Sequence, residues 1–239
     1  MPTGGYYCSE NHIPANTMPA FSAAIKHGTG IELDLHLTRD GEVVAYHNDT
    51  FKEVCGEERP IEALSSAELK SHPLEGTTET IPLFSDVLRL VDGQIPLLVE
   101  LKLPTGKVAP LCEKVTALMK DYPGPYLIQS FNTLGLFWYR RHAPDVLRGQ
   151  LSRRLTITHT PQPWLLKFLT ENMMTNFLGR PDFISYRMDE LPNPFVTLLT
   201  KLYHTPLAVW TVKTPEEMKI ASEKYEMLIF EESGENYEI

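Results

Sequence analysis

Three carboxylates and a lysine stand out because of where they sit in two apolar runs. In the stretch 31–37, IELDLHL, polar and aliphatic residues alternate. Side chains of an extended strand alternate between its faces, so Glu32, Asp34 and His36 share one face and four aliphatic residues share the other. A strand half-exposed to water has the same pattern. The second run, PLLVELKL over 96–103, argues against that simple reading. Its continuous aliphatic residues mark a strand buried on both faces, yet Glu100 and Lys102 appear two apart near its end. A buried carboxylate must neutralise, pair with Lys102, or meet a cation beside other carboxylates, because leaving it unpaired costs several kcal/mol.

Parallel strands that carry such charges at their C-terminal ends gather them at one mouth in a β/α barrel, where Glu32, Asp34 and Glu100 would converge. Carboxylate oxygens are hard ligands, and three of them suit Mg²⁺ or Ca²⁺ better than zinc, which recruits His or Cys. A divalent cation is therefore the implied cofactor. Lys102 would offer its charge to a phosphate oxygen or form a structural ion pair with Glu100. His47 lies just before Asn48-Asp49-Thr50 and can lean over the same mouth, where an imidazole suits general acid or base work. For His12, His27, His72, His142 and His204, in loop or helix contexts, surface placement is the expectation.

The elements that must position these residues are legible as repeated β-α units from residue 31 onward. Strands are expected at Ile31–Leu37, Pro96–Leu103, Tyr126–Phe131, Val146–Leu151, Asp182–Tyr186, Pro206–Thr211 and Met227–Phe230. A first helix over Met18–His27 has Asn16 and Thr17 as candidate caps and stops at Gly28. Thr214-Pro215-Glu216-Glu217 combines a capping box with proline at the first helical position. Asp40-Gly41 predicts a hairpin that folds Val43–His47 back antiparallel. Residues 48–81 read as an excursion around one short helix, capped by the box Ser65-Ser66-Ala67-Glu68.

Composition narrows the function classes. Hydrophobic residues make up 42% and charged residues 22%, and no apolar run approaches the roughly 18 residues of a membrane span. With 31 acidic against 22 basic residues and no long basic cluster, nucleic acid is not the expected partner. Cys8, Cys55 and Cys112 form no CxxC pair and read as free thiols of a reducing cytosol. The opening MPTGGYYCSENHIPANT has no basic region followed by an apolar stretch, so a cytoplasmic location is the expectation. One domain over 1–239 is expected.

Taken in order, the motifs resemble a known signature. The stretch IPANTMPAFSAAIKHGTGIELDLHLTRDGEVVAYHNDT is similar to that of the glycerophosphodiester phosphodiesterases, which runs H-R-G, P-E-N-T, E-x-D, T-x-D-G and H-D. IPLFSDVLRLVDG, PLLVELK, QSFN, RGQLS, FISY, AVWTV and LIFE fall where that family has its later elements. The resemblance implies an α/β fold, the (β/α)₈ TIM barrel of the phosphodiesterase superfamily, with 48–81 as the family's small insertion. It implies Glu32, Asp34 and Glu100 as metal ligands, His47 as a catalytic histidine and Lys102 near the phosphate. Phe131 and Trp210 would line the apolar side of the substrate pocket, or simply pack the core.

The departures carry implications of their own. Where the family has H-R-G the chain reads Met1-Pro2-Thr3-Gly4, and Ala15 replaces the glutamate of P-E-N-T. The first strand is therefore expected to be missing or incomplete, leaving unpaired edges beside it. A first catalytic histidine and a phosphate-binding arginine are absent from that place. The implied activity is metal-dependent hydrolysis of a small-molecule glycerophosphodiester to an alcohol and glycerol 3-phosphate, weakened by the loss of one acid or base. The alternative is an inactive homologue that binds a phosphodiester or metal as a regulatory module.

Overall fold

The computed structural model describes residues 3–4, 13–56, 58–74, 76–104, 106–158 and 162–231. His12 and Cys8 lie outside the described residues. The strands are β1 (Thr3–Gly4), β2 (Gly30–Leu37), β3 (Val43–Ala45), β4 (Leu97–Leu101), β5 (Tyr126–Ser130), β6 (Arg148–Ser152), β7 (Phe183–Arg187), β8 (Leu207–Val212) and β9 (Met227–Phe230). They form one sheet in the order β1-β2-β4-β5-β6-β7-β8-β9, all parallel, with β3 antiparallel on β2. The sheet curls until β9 comes back beside β1, which is the (β/α)₈ TIM-barrel architecture expected.

Among the described residues the first strand is short rather than missing. Thr3 and Gly4, the described residues of β1, pair parallel with Gly30 and Ile31 and lie between β9 and β2. That short pairing covers part of the edge that β2 would otherwise present. The seven longer parallel strands fall within two residues of the segments expected, and β3 folds back as Asp40-Gly41 predicted, with Gly41 at φ 81°.

The helices are α1 (Met18–His27), α2 (Lys52–Cys55), α3 (Ser66–Lys70), α4 (Phe84–Val91), α5 (Ala109–Met119), α6 (Thr133–His142), α7 (Trp164–Glu171), α8 (Asn176–Gly179), α9 (Pro194–Tyr203) and α10 (Pro215–Ser222). Their apolar stripes close the outer layer: Ala20, Phe21, Val87, Leu111 and Val115 pack on Leu33, Leu35, Val99 and Leu101. Inside the barrel a smaller layer of Leu98, Phe183, Ala208 and Ile229 fills the axis. β4 is buried on both faces, as its composition required, with Leu98 inward and Leu97, Val99 and Leu101 outward.

Three cap readings resolve differently. α1 does end on Gly28, in the left-handed region at φ 70°. At its start, however, the Thr17 hydroxyl donates to the Pro14 carbonyl (2.7 Å) and accepts nothing from the helix, and Asn16 is used elsewhere. Ser65 and Glu68 make the full reciprocal box on α3. At α10 the Thr214 hydroxyl accepts from Glu217 N–H (3.1 Å), whereas the Glu217 carboxylate reaches one residue further back, to Lys213 N–H (2.7 Å).

The segment 48–81 is fastened to the hairpin by ion pairs and hydrogen bonds. Arg39 of the hairpin reaches Glu68 at 2.8 Å, and within the segment Arg59 reaches the same carboxylate at 3.1 Å. Asp40 accepts from the Thr38 hydroxyl (2.6 Å) and from both N–H and hydroxyl of Ser66 (2.9 and 2.8 Å). His36, read with Glu32 and Asp34 from the alternation, is fully buried, and its Nδ1 lies 3.0 Å from Glu62 Oε1. It braces this segment instead of joining the carboxylates, because β2 at that point has run past its pairing with β4 and pairs with β3 alone.

Two predictions come from this packing. Gly149 on β6 leaves room for the Phe183 ring, which an added Cβ would approach to 2.2 Å. Gly149→Ala is expected to cost about 1–3 kcal/mol by overpacking and to lower Tm by several degrees in calorimetry; an unchanged Tm would refute the interior packing described. The bonds from Thr38, then Ser66, hold the Asp40 carboxyl down at about 2, below its ordinary 3.8. Its stabilising contribution is therefore complete above the unfolded value and is lost as pH falls from about 4 towards 2. The Tm difference between wild type and Asp40→Asn should be constant at neutral pH and shrink across that acid window; a difference that widened there would have the sign wrong.

Candidate metal and phosphate site

β2 and β4 run in register, with Glu32 opposite Leu98 and Asp34 opposite Glu100. Three carboxylates from two neighbouring strands thus come to one end of the sheet. Each offers an oxygen within 4.8 Å of the other two. Asp34 and Glu100 are buried, while Glu32 is half-buried at the wall of a cleft of about 820 Å³. His47, Lys102, Gln129, Phe131, Arg153 and Trp210 are among the other residues lining this cleft. The structure therefore brings together every residue singled out from sequence for the site. His36 is the strand neighbour it sets apart.

Lys102 ties two of the carboxylates. Its Nζ stands 2.8 Å from Asp34 Oδ1 and 2.8 Å from Glu100 Oε1. The structural ion pair left open by the sequence is therefore present, and it is shared with Asp34 as well as Glu100. The third carboxylate is steadied by an amide, since Gln129 Nε2 donates to Glu32 Oε1 over 3.2 Å.

Asn16 is a site residue that sequence reasoning placed only as a helix cap. Its Nδ2 donates to Asp34 Oδ2 (3.0 Å), and its Oδ1 accepts from Asp34 N–H (3.2 Å). Its backbone lies in the left-handed region at φ 58°, which asparagine tolerates better than most residues with a side chain. The signal was the N-T of the segment P-A-N-T, read for its capping chemistry rather than for its place in the motif. Arg153, within the run RGQLSR, was also passed over; it lines the cleft and its Nη2 lies 3.5 Å from Glu190 Oε1.

Electrostatics separates the three acids. Burial, with the Asp34 and Glu100 charges behind it, pushes Glu32 well above the ordinary carboxylate range, against the pull of Lys102 and Gln129. Burial also lifts Glu100, to about 7, with Lys102 opposing and Asp34 reinforcing. For Asp34 burial acts in the same direction, but the Lys102 ammonium, His47 and the Lys102 and Asn16 hydrogen bonds outweigh it and leave the carboxyl below its usual value. Burial would lower Lys102, yet Glu100 and Asp34 more than reverse this and hold it protonated.

The donor set fits a hard divalent cation. Three carboxylates and one ammonium leave a formal −2 when all are ionised, which one dication would neutralise, and the oxygen spacing suits ligation from three sides. His47 is exposed at the cleft, its Nδ1 3.0 Å from Asn48 Oδ1, and Asn48 Nδ2 bonds Glu53 Oε2 (2.5 Å). Opposite, Phe131 and Trp210 meet edge to face with centroids 6.0 Å apart, both half-buried at the cleft wall. The site thus has an anionic floor, basic groups beside it and an aromatic wall.

Comparison with known proteins bears on the family and the fold. The model of the "Glycerophosphoryl diester phosphodiesterase family" matches residues 8–225. The chain is 30% identical over 151 residues to a glycerophosphodiester phosphodiesterase of Caldanaerobacter subterraneus subsp. tengcongensis, a match covering 59% of this chain and 62% of that relative. It therefore spans about three fifths of that protein's length. A glycerophosphodiester phosphodiesterase of Bacillus altitudinis is 26% identical over 181 residues, covering 71% and 73%. Among solved structures, a phosphodiesterase of Oleispira antarctica, in complex with the product sn-glycerol-3-phosphate, superposes with a TM-score of 0.77 at 18% identity, covering 96% of this chain and 92% of that one. A glycerophosphodiester phosphodiesterase of Thermotoga maritima gives 0.70 at 21%, covering 96% and 94%. These structural likenesses bear on the fold, and the match over 8–225 bears on descent: the chain belongs to the glycerophosphoryl diester phosphodiesterase family.

Proposed function

We propose that this chain hydrolyses glycerophosphodiesters to an alcohol and glycerol 3-phosphate, with Mg²⁺ or Ca²⁺ held by Glu32, Asp34 and Glu100. The observation that carries the reading is the convergence of these carboxylates beside Lys102 in one cleft, in a chain of this family. The product named for the Oleispira antarctica enzyme is of the class such a cleft would hold. When bound, a divalent cation there would supply Lewis-acid polarisation of the phosphoryl oxygens.

The chain's own residues divide the remaining work. Lys102, kept protonated by two acids, and Arg153 would draw in the anionic phosphodiester. Asn16 and Gln129 hold Asp34 and Glu32 in place for the cation. Asn48 donates its amide N–H to Glu53, so its oxygen faces His47 Nδ1 and favours the tautomer with the proton on Nδ1. Nε2 is then an acceptor, able to take the proton of an attacking hydroxyl as general base. Phe131 and Trp210 would lie against the apolar faces of the glycerol or alcohol. A second reading, a binding module without turnover, is favoured by one observation: Thr3 and Gly4 stand on β1, where the family's H-R-G would end. Loss of one acid or base lowers a rate by about 10²–10⁴, which leaves slow hydrolysis within reach.

Hydrolysis of glycerophosphocholine and glycerophosphoglycerol, with and without added Mg²⁺ or Ca²⁺, decides between the readings. Slow turnover that requires the cation is expected, falling a further ~10²-fold or more in Glu100→Gln and by about 10²–10⁴ in His47→Asn. Saturable binding of glycerol 3-phosphate with no cation-dependent turnover would replace the enzyme by the binding module.

Lys102→Met tests the electrostatic frame independently. Removing the one ammonium that Asp34 and Glu100 share should cost about 3 kcal/mol and lower Tm. Millimolar divalent cation should recover more of that loss than it adds to wild type. A variant as stable as wild type without cation would show that the lysine does not balance the acids.

A further inference from the structure

Away from the cleft, positive charge and exposed apolar surface are concentrated on one side of the barrel. Residues 131–187 hold eight basic and three acidic side chains, whereas the rest of the chain holds fourteen basic and twenty-eight acidic. Residues 131–187 are thus a net-basic stretch in a protein of net charge −9, although Arg153 and Arg187 pair with Glu190 and Asp189 just beyond it. The same region supplies nine of the fourteen large hydrophobic side chains exposed among the described residues. Exposed apolar side chains scattered singly need no explanation, but a cluster rimmed by charge does.

The cluster lies on consecutive elements of the barrel, α6, α7 and α8. α6 packs against α8, the Arg141 guanidinium stands 6.0 Å from the Phe137 ring centroid, and Arg140 Nη1 donates to the Phe177 and Leu178 carbonyls (3.2 and 2.8 Å). Phe177 is 70% exposed beside these arginines. Just before α8, α7 opens with Trp164, Leu165 and Leu166 facing water at 64%, 61% and 46% exposure. Its one basic residue, Lys167, turns inward and donates to the Thr158 carbonyl (2.7 Å), which leaves the outward surface of that turn apolar. Among the described residues no acidic side chain lies within salt-bridge distance of Arg140, Arg141, Arg154 or Arg180. The turn at Leu155–Ile157 is bonded to α7 through Thr156 and Glu171 (2.9 and 2.7 Å), and it follows Arg153 of the cleft wall, so this side adjoins the mouth.

We propose that the α6–α8 side of the barrel docks on an anionic phospholipid bilayer. Trp164, Leu165, Leu166 and Phe177 enter the headgroup and upper acyl region, and the arginines around them meet lipid phosphates. Charge complementarity selects this occupant. A second copy meeting the same surface across a two-fold axis would set arginine against arginine. Nucleic acid would favour the arginines and aromatic rings but gain nothing from the exposed leucines, which offer no stacking face. The inference stands apart from the reading of the cleft, because docking is measured without turnover.

The test is sedimentation of the full chain with vesicles of mixed phosphatidylcholine and phosphatidylglycerol, and with phosphatidylcholine alone. Binding to the anionic vesicles is expected, with little to the neutral ones and progressive release by salt. The triple variant Trp164→Ser, Leu165→Ser, Leu166→Ser and the variant Arg141→Gln, Arg154→Gln, Arg180→Gln should each weaken it at least about tenfold, since one arginine near an anionic surface contributes a factor of about five in partitioning. Circular dichroism of both variants, whose altered side chains lie at the surface, establishes that they are folded. Folded wild-type protein that stays in the supernatant with anionic vesicles would overturn the proposal. So would binding that neither variant weakens, or light scattering that shows a dimer which the triple serine variant separates.

Discussion

Carboxylates taken out of water must find positive charge, and the end of this barrel holds three of them within reach of one another. Lys102 answers part of that demand by lying 2.8 Å from both Asp34 and Glu100. Burial, with the neighbouring carboxylates reinforcing it, still displaces Glu32 upward and lifts Glu100 to about 7. The rest of the architecture can be understood as what keeps these groups close: parallel register between β2 and β4, an apolar layer beneath them, and the buried amides of Asn16 and Gln129 beside them. A site so placed resists collapse because its neighbours are locked by packing, and it favours a dication because that removes the residual charge.

The hairpin and the segment after it form a second support. His36, Arg39 and Asp40 each send a bond into 48–81, to Glu62, Glu68 and Ser66. The segment carries its own apolar cluster around Phe51, Ile61, Leu64 and Leu69, so it is packed as well as tethered. It also supplies Asn48 and Glu53, whose bonds orient His47 at the cleft. A stretch that looked like an excursion in the sequence therefore positions the one titratable base in the proposed chemistry. At the opposite edge, the described part of β1 pairs with β2 and lies beside β9, where the seven longer parallel strands and their helices define the cylinder.

Much of this was legible in the sequence for physical reasons. Alternation in IELDLHL put Glu32 and Asp34 on one face, and an aliphatic run ending in Glu100 and Lys102 could only be a buried strand whose charges needed partners. Gly28, Asp40-Gly41 and the Ser65 to Glu68 box are local features whose geometry depends on a few neighbouring residues, and the structure has them where they were expected. Strand ends moved by only a residue or two, because the apolar runs are bounded by proline, glycine and charged residues.

Local pattern by itself determined which residues are extended, which are helical and which carry charge into the core, since those choices rest on side-chain period and on backbone preference. Tertiary structure decided the partners. His36 continued the alternation of Asp34 but met Glu62, because the end of β2 leaves the barrel and runs under another segment. Asn16 read as a cap and became the brace of Asp34, eighteen positions away. Lys102 was assigned one carboxylate and holds two. In each case the contact joins residues far apart in the chain, and its existence depends on how the sheet curls, which no window of neighbouring residues contains.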